Sequence, residues 1–322
     1  MTDVPTTSRL QFLPVSYFSI VMGMAGFAIA WARFEHSFQW LNGPSGLLLS
    51  VTSIVFAILA ALYAYKALRY PVEVRKEFNH PVKLSFFPTL SISLILLSIA
   101  TWPLTAEVSA WLWYAGAGLH LVFTLIVVNL WINHTKFEIQ HINPAWFIPV
   151  VGNILVPIVG VYHAPIELSW FFFAIGLFFW LLLVTINFYR FLFHAPLPAR
   201  MLPTLFILIA PPAVGFIAYT SLNGGLDSFG RILYYIAAFL MLMLITQIGN
   251  FTRLGFALTW WAYSFPSAAF TIATVIMWGQ TGLVFFEYLA LILMVLLCLL
   301  IAILVLLTLR AIWHGQICRP DD

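Results

Sequence analysis

Few residues in this chain are suited to catalysis or metal binding. His134 and Glu138 lie four residues apart in the stretch HTKFEIQH, and His141 follows closely. Histidine and carboxylate side chains bind metals, but this spacing matches no recognised ligand pattern. The sequence also lacks a P-loop, a glycine-rich nucleotide fingerprint and a nucleophile elbow. We therefore expect no catalytic residue, no metal site and no cofactor, and predict that the chain is not an enzyme.

His120 is the one titratable side chain near the middle of an apolar segment. The Asp, Glu, Lys and Arg residues all lie towards segment ends or in the connections. Charged groups inside a membrane normally mark proton relays and ion pathways, and acidic rings attract cations. A lone histidine at such a position is more typical of packing than of function. The pattern argues against a proton-coupled pump and against a cation channel.

Phe265 and Pro266 stand out in the stretch WWAYSFPSAAF, residues 260–270. Proline lacks a backbone donor and clashes with the preceding helical turn. In hydrocarbon, a freed backbone group is costly unless protein or cavity water satisfies it. Pro266 therefore predicts a broken helix beside a cavity, and Phe265 is the bulky side chain among small neighbours there.

Helical periodicity leaves two candidate pore faces on this segment. One face is narrow except for the phenylalanine ring: Ala262, Phe265, Pro266, Ala269 and Ala273. The competing face is more polar: Ser264, Ser267, Thr271 and Thr274. Periodicity does not decide between them, and a lone phenylalanine in such a helix is commonly a packing residue.

Composition assigns the chain to the membrane. Hydrophobic residues make up 63% of it and charged residues only 8%, with a mean hydropathy of +1.01. Soluble domains average about 25% charged residues. We therefore predict an all-α integral membrane protein.

Ten apolar segments are long enough to cross a bilayer, which takes about 20 residues. Short connections make neighbours antiparallel, so we expect five helical hairpins. The first segment is long enough to span and is read as uncleaved. We expect a polar N-terminus at 1–14, a transmembrane domain at 15–310 and a tail at 311–322. The predicted spans are 15–34, 46–69, 84–101, 107–131, 145–162, 167–190, 201–221, 228–249, 254–278 and 283–310.

Prolines and small residues divide these segments into two classes. Every proline inside a span falls in an odd-numbered one, and the odd spans also carry stripes of small residues. Broken helices belong inside a bundle, where protein or water satisfies the backbone. Small residues alone indicate close packing, but their combination with prolines favours odd helices inside, even helices outside and a central pore. The candidate pore-lining residues are Gly23, Gly26, Pro88, Ser91, Pro149, Gly152, Asn153, Pro211, Pro266 and Ala269.

The charge pattern predicts orientation and ligand class. Of the 14 Lys and Arg residues, 12 fall on the side that holds both termini, so we expect these termini in the cytoplasm. This bias also explains the basic loop at 66–83, which faces membrane lipid, and gives no reason to expect nucleic acid. Broken helices present backbone amides and positive helix ends, which favour anions.

Four stretches carry a resemblance to a known family. They are YFSIVMGMAGFAIAWARFE (17–35), YAYKALRYPVEVRKEFNHPVKLSFFP (63–88), NPAWFIPVVGN (143–153) and WWAYSFPSAAF (260–270). Together they resemble the tellurite-resistance/dicarboxylate transporter family. This family contains bacterial TehA-like proteins, plant slow-type anion channels, and fungal malate permeases and sulfite pumps.

The resemblance implies more than the residues alone. It implies five hairpins about a pseudo-fivefold axis, with odd helices lining a pore, and a homotrimer with one pore in each protomer. Phe265 matches the phenylalanine that plugs the pore in this family. Gly23 matches the glycine that lies near that ring.

We therefore expect an anion channel in the cell (inner) membrane that passes small inorganic anions such as chloride and nitrate, gated by Phe265. The alternative is a coupled carrier or exporter of tellurite, sulfite or a C4-dicarboxylate. A carrier of dianions should have a basic residue at mid-membrane, and the sequence places none there.

Overall fold

The structure is a computed structural model that describes residues 9–39, 43–251 and 253–319, and all its regular elements are helical. The predicted segments 1–14 and 311–322 extend beyond it at 1–8 and 320–322. Within the described ranges, nine helices are long and apolar enough to cross a membrane. They are α1 (Val15–Phe38), α2 (Ser45–Arg69), α3 (Lys83–Thr101), α4 (Ala106–Asn133), α5 (Pro144–His163), α6 (Ile166–Phe193), α7 (Ala199–Asn223), α8 (Ser228–Ile245) and α10 (Val284–Trp313). A further helix, α9 (Ser264–Thr281), lies between α8 and α10 and is not one of these nine.

The predicted ninth span, 254–278, is less regular than a single helix. It contains the 3₁₀ helix Leu258–Tyr263, and α9 follows directly. It is not among the nine long apolar helices. Serine, threonine and tryptophan residues lower its mean hydropathy.

The even-numbered helices α2, α4, α6, α8 and α10 are continuous α-helices. In their most apolar stretches only 6 to 33% of the residues are buried inside the protein. Their exposed side chains are large and apolar, for example Ile54, Leu125, Phe178 and Leu299. Such surfaces are suited to contact with lipid.

The odd-numbered segments are built differently. Each begins with a 3₁₀ stretch before its main α-helical part: Val15–Tyr17, Lys83–Phe86, Pro144–Phe147, Ala199–Ile209 and, ahead of α9, Leu258–Tyr263. In α1, α3, α5 and α7, 61 to 78% of the most apolar stretch is buried. The proline-containing segments therefore supply most of the protein interior.

The prolines explain where the 3₁₀ stretches end. Pro266 is the third residue of α9, and Pro211 is the second residue of the α-helical part of α7. A proline in the first turn of an α-helix costs little, because the first backbone N–H groups have no α-helical partner there. The sequence suggested a helix broken in its middle at Pro266. The structure instead places this proline where a 3₁₀ stretch becomes an α-helix.

The buried segments pack against one another in order. Contacts join α1 to α3, α3 to α5, α5 to α7, α7 to α9, and α9 back to α1. Each also packs against the even helix that follows it. The odd segments thereby enclose a space at the centre of the described structure.

Candidate functional site

A cavity of about 810 Å³ lies among the N-terminal parts of the odd segments. Its walls come mainly from the 3₁₀ stretches and the first α-helical turns of α1, α3, α5, α7 and α9. Because all five contribute their N-terminal parts, the odd segments run in the same direction. The cavity opens on the side where both described chain ends lie.

The floor of the cavity is apolar. Along α1, α3, α5 and α7 the last lining residue is a hydrophobic side chain, and along α9 the last two are Phe265 and Pro266. Beyond this level no described part of these segments lines the cavity. The five floor residues are Met22, Ile92, Leu155, Val214 and Phe265. Four of them were not predicted as pore residues, since nothing distinguishes such residues from core residues in a sequence. A ring of apolar side chains can close a pore by excluding water.

Phe265 is half-buried at this floor and contacts α1. A Cβ atom added at Gly26 would lie 3.2 Å from Cδ2 of the phenylalanine ring. At Gly23, where the resemblance points, the nearest side-chain atoms belong instead to Ser264 and Trp261. Gly26 therefore provides the close approach between α1 and the ring, one turn beyond Gly23.

The two candidate faces of α9 have different surroundings. Ala262, Phe265 and Pro266 line the cavity. The hydroxyl group of Ser264 donates to the carbonyl of Trp261 at 2.6 Å, and Thr274 Oγ1 lies 3.1 Å from the hydroxyl of Tyr234 on α8. The polar face is thus occupied by bonds to its own backbone and to an outer helix.

The other predicted pore residues divide into two groups. Gly152 and Pro211 line the cavity with Phe265 and Pro266. The rest are buried but do not line it: Gly23, Gly26, Pro88, Ser91, Pro149, Asn153 and Ala269.

Several residues of the second group form a polar cluster behind the wall. Ser91 Oγ donates to the carbonyl of Pro88 at 2.8 Å and lies 2.9 Å from Nδ1 of His120. Thr124 Oγ1, one turn along α4 from His120, donates to the carbonyl of Pro149 and accepts from Nδ2 of Asn153. No pattern in the sequence predicts that these groups meet.

The mouth of the cavity is rich in basic side chains. Lys83, Arg200 and Arg319 line it, together with one carboxylate, Glu77. The C-terminal tail packs against the start of α1 here, where the backbone N–H of Cys318 donates to the hydroxyl of Tyr17 at 3.3 Å. Every charged residue of the cavity lies at this mouth.

His80 lies just before the lining residues Val82 and Lys83 and has positively charged neighbours. Partial burial and the nearby charges of Lys83, His141 and Lys136 hold its pKa below the usual histidine value. Its Nδ1 atom accepts from the backbone N–H groups of Val82 and Lys83. Burial is the largest cause of this lowered pKa, and the neighbouring positive charges act in the same direction.

The described residues offer little for metal binding. Within them, no three His, Cys, Asp or Glu side chains lie close enough together to hold a metal ion. In the stretch HTKFEIQH (134–141), Nδ1 of His141 accepts a hydrogen bond from the backbone N–H of Glu138 at 3.1 Å. The cavity thus combines an apolar floor, neutral walls and a basic mouth.

Three relatives show what the chain resembles. It is 31% identical over 268 residues to the tellurite resistance protein TehA homolog of Haemophilus influenzae, covering 80% of this chain and 79% of that protein. It is 22% identical over 360 residues to the malic acid transport protein of Schizosaccharomyces pombe, covering 98% and 82%.

The third relative is the S-type anion channel SLAH3 of Arabidopsis thaliana, which is 28% identical over 285 residues. The match covers 84% of this chain but only 44% of the plant protein, so the chain spans about half the length of this relative.

The sequence profile of one family, described as "Voltage-dependent anion channel", matches residues 13–309. This range includes all of the odd segments and all five floor residues. An anion channel and a malic acid transport protein are thus among the relatives, and the matching family is one of channels and transporters rather than enzymes. The chain belongs to the voltage-dependent anion channel family.

Proposed function

We propose that this chain is a channel that passes small monovalent anions such as chloride and nitrate down their gradient. The observation that carries the proposal is the cavity, which is lined by all five odd segments, has no charged residue below its mouth and ends at an apolar floor. A pathway without a charged binding site selects by size and by ease of dehydration. Anions with weakly held water should pass most readily.

The preference for anions rests on two features of the cavity. Lys83, Arg200 and Arg319 at its mouth attract anions from solution. The α-helical parts of α1, α3, α7 and α9 also begin at the cavity, and none of the four has a side-chain cap. The positive ends of these helices therefore face the pathway.

We assign the gate to Phe265. Its ring belongs to the floor, it is the largest side chain there, and it is only half-buried. Rotation about the Cα–Cβ bond is open to a side chain that lies at the edge of a cavity. Movement of the ring away from Gly26 and the floor would connect the two sides of the membrane.

A coupled carrier or exporter of tellurite, sulfite or a C4-dicarboxylate is the second candidate. The names of the bacterial and fungal relatives favour it. The described walls offer a dianion no basic side chain below the mouth. The channel therefore remains the better-supported proposal.

Planar-bilayer recordings of the purified protein test the two candidates. A channel gives unitary currents that follow the anion gradient, with a reversal potential that is independent of a pH gradient. A carrier gives no unitary current but takes up labelled sulfite or malate in proteoliposomes, driven by a coupling ion. Silent bilayers together with coupled uptake would replace the channel with the carrier.

The arrangement around the pathway is also a proposal. We infer ten crossings, with α9 and its 3₁₀ stretch as the ninth, arranged as five hairpins that form a channel domain at 15–310. The closed order of contacts among the odd segments supports this. The positive-inside pattern supports cytoplasmic termini in an inner membrane. The family resemblance alone supports a homotrimer, which mass measurement in detergent would test.

A further inference from the structure

His120 lies next to the cavity rather than in the lipid-facing surface. It is fully buried on α4, and its ring touches α5. A Cβ atom added at Gly152 would lie 2.6 Å from both Cε1 and Nε2 of the imidazole. Gly152 itself lines the cavity, about one turn before the floor residue Leu155. Only the backbone of one glycine therefore separates this edge of the ring from the cavity.

The two ring nitrogens of His120 differ. Ser91 Oγ uses its hydrogen to bond the carbonyl of Pro88, so it accepts a hydrogen bond from Nδ1–H of the imidazole. Nε2 then carries the lone pair, and this atom has no hydrogen-bond partner. A buried polar atom without a partner is uncommon and calls for an explanation.

Asn153, which follows Gly152 on α5, also has an unpaired acceptor. Its Nδ2 atom donates to Thr124 Oγ1 and to the carbonyl of Val150, while its Oδ1 atom has no partner. The cluster therefore contains two orphaned acceptors. A proton on Nε2 would convert one of them into a donor.

The groups that face His120 are neutral. They are Ser91 from α3, Gly152 from α5 and Thr124 on its own helix. On the same three segments, the described charged or titratable residues, such as Lys83, Glu107 and His163, lie towards the ends. Glu107 is 13 residues along α4, or about 20 Å. A positive charge on the ring is costly without a counter-charge, and an anion in the cavity beside Gly152 would supply one.

We propose that His120, with Ser91, Thr124 and Asn153, is a proton-binding site whose occupancy is linked to an anion in the cavity. Linkage is reciprocal: an anion beside Gly152 favours the protonated ring, and the protonated ring strengthens anion binding by the same factor. Acidification therefore increases anion occupancy and flux. This inference rests on the proposed function, because it requires anions to enter the cavity.

Chloride efflux from proteoliposomes tests the linkage. Between about pH 7.5 and about pH 4.5, wild-type efflux should rise about fivefold or more. This range extends below the ordinary titration of histidine, because the buried ring gains its charge only with an anion beside it. His120→Gln keeps a polar side chain that cannot be protonated, so its efflux should not change with pH. His194→Gln, at an exposed histidine beyond the end of α6, should behave as wild type. Equal pH dependence in His120→Gln and wild type, or none in wild type, would overturn the inference.

A measurement on the wild-type protein tests the same inference if the variant His120→Gln folds poorly. In wild-type protein with ¹⁵N-labelled histidine, chloride should move the imidazole signal assigned to His120 towards the protonated form within the same pH range. A signal that does not respond to chloride, in protein that conducts chloride, would also overturn the inference. Absence of chloride flux from wild type at every pH would contradict the proposed function instead.

Discussion

At the scale of single residues, Phe265 combines three properties that a gate needs. It belongs to the cavity floor, it approaches the backbone of α1 at Gly26, and it is less buried than its neighbours on α9. Phe270, five residues later, is a contrasting ring. It is 3% exposed and stacks on Tyr234 of α8 with 5.7 Å between ring centroids.

Phe265→Ala should increase the anion current. Removing the ring takes away the largest side chain of the apolar floor, so water and anions can pass the level of Met22 and Val214. The measurement is the macroscopic chloride current per amount of reconstituted protein. An unchanged current, with normal assembly of the variant, would remove Phe265 from the gate.

Phe270→Ala is the matched control on the same helix. Truncating a packed phenylalanine typically costs about 3–5 kcal/mol, so this variant should unfold at a lower temperature than Phe265→Ala. Its current per folded molecule should not exceed that of wild type. A similar rise in current from both variants would indicate general loosening of α9.

The sequence identifies unusual residues better than ordinary ones. Gly152, Pro211, Phe265 and Pro266 were predicted at the pore and line the cavity, because glycine, proline and a lone ring stand out in apolar helices. The other floor residues are common aliphatic side chains and methionine, which carry no such signal. The partners of His120 were also missed, because they come from three segments that only the fold brings together.

At the scale of elements, the alternation of span types could be predicted and its form could not. Prolines marked the odd segments correctly as the unusual ones. Their effect is a 3₁₀ start rather than a mid-helix kink, because Pro211 and Pro266 occupy first turns where a missing N–H is tolerated. In the 11-residue 3₁₀ helix Ala199–Ile209, Pro203 argues against a regular α-helix but does not specify the 3₁₀ form.

A buried ion pair fixes the start of α1 to the connection between α2 and α3. Lys66 Nζ lies 2.8 Å from Glu77 Oε2, and the two side chains are 3% and 7% exposed. Glu77 also accepts the backbone N–H of Val15 at 2.6 Å, while Lys66 donates to the carbonyl of Leu13. The pair thus holds the 3₁₀ start of α1, which forms part of the cavity wall.

Lys66→Met should destabilise the protein strongly. It leaves the carboxylate of Glu77 buried without its cation, which typically costs about 3–5 kcal/mol. The unfolding temperature in detergent reports the loss, and the double variant Lys66→Met/Glu77→Leu should recover most of it. A single variant as stable as wild type would contradict this role.

The control for that prediction lies on the same short helix, Pro71–Asn79. Glu73 pairs with Lys76 at 2.8 Å, but these side chains are 34% and 68% exposed. Exposed pairs contribute about 0–1 kcal/mol. Glu73→Gln should therefore leave the unfolding temperature close to that of wild type.

At the scale of the whole molecule, charge is separated from the pathway. Basic side chains gather at the mouth of the cavity, on the side with 12 of the 14 Lys and Arg residues. The walls below are neutral and the floor is apolar. The charge distribution concentrates anions outside the pathway but does not hold them within it, which suits rapid passage better than tight binding.

Arg200→Gln should lower the current of anions that enter from this mouth. Arg200 is exposed, so its effect acts through solution and should depend on salt. Loss of one charge should reduce the current about two- to fivefold at low ionic strength. The difference should shrink as salt is raised, because screening shortens from about 30 Å at 0.01 M to about 10 Å at 0.1 M.

Arg231 supplies the matched control, because it lies near the start of α8 on the opposite side of the membrane in the predicted orientation. Arg231→Gln should leave this current unchanged at both salt concentrations. A salt-independent loss in Arg200→Gln would mean that the guanidinium group acts through structure rather than through its field. An equal loss in Arg231→Gln would contradict entry through the basic mouth, since only a charge near the entrance raises the local anion concentration there.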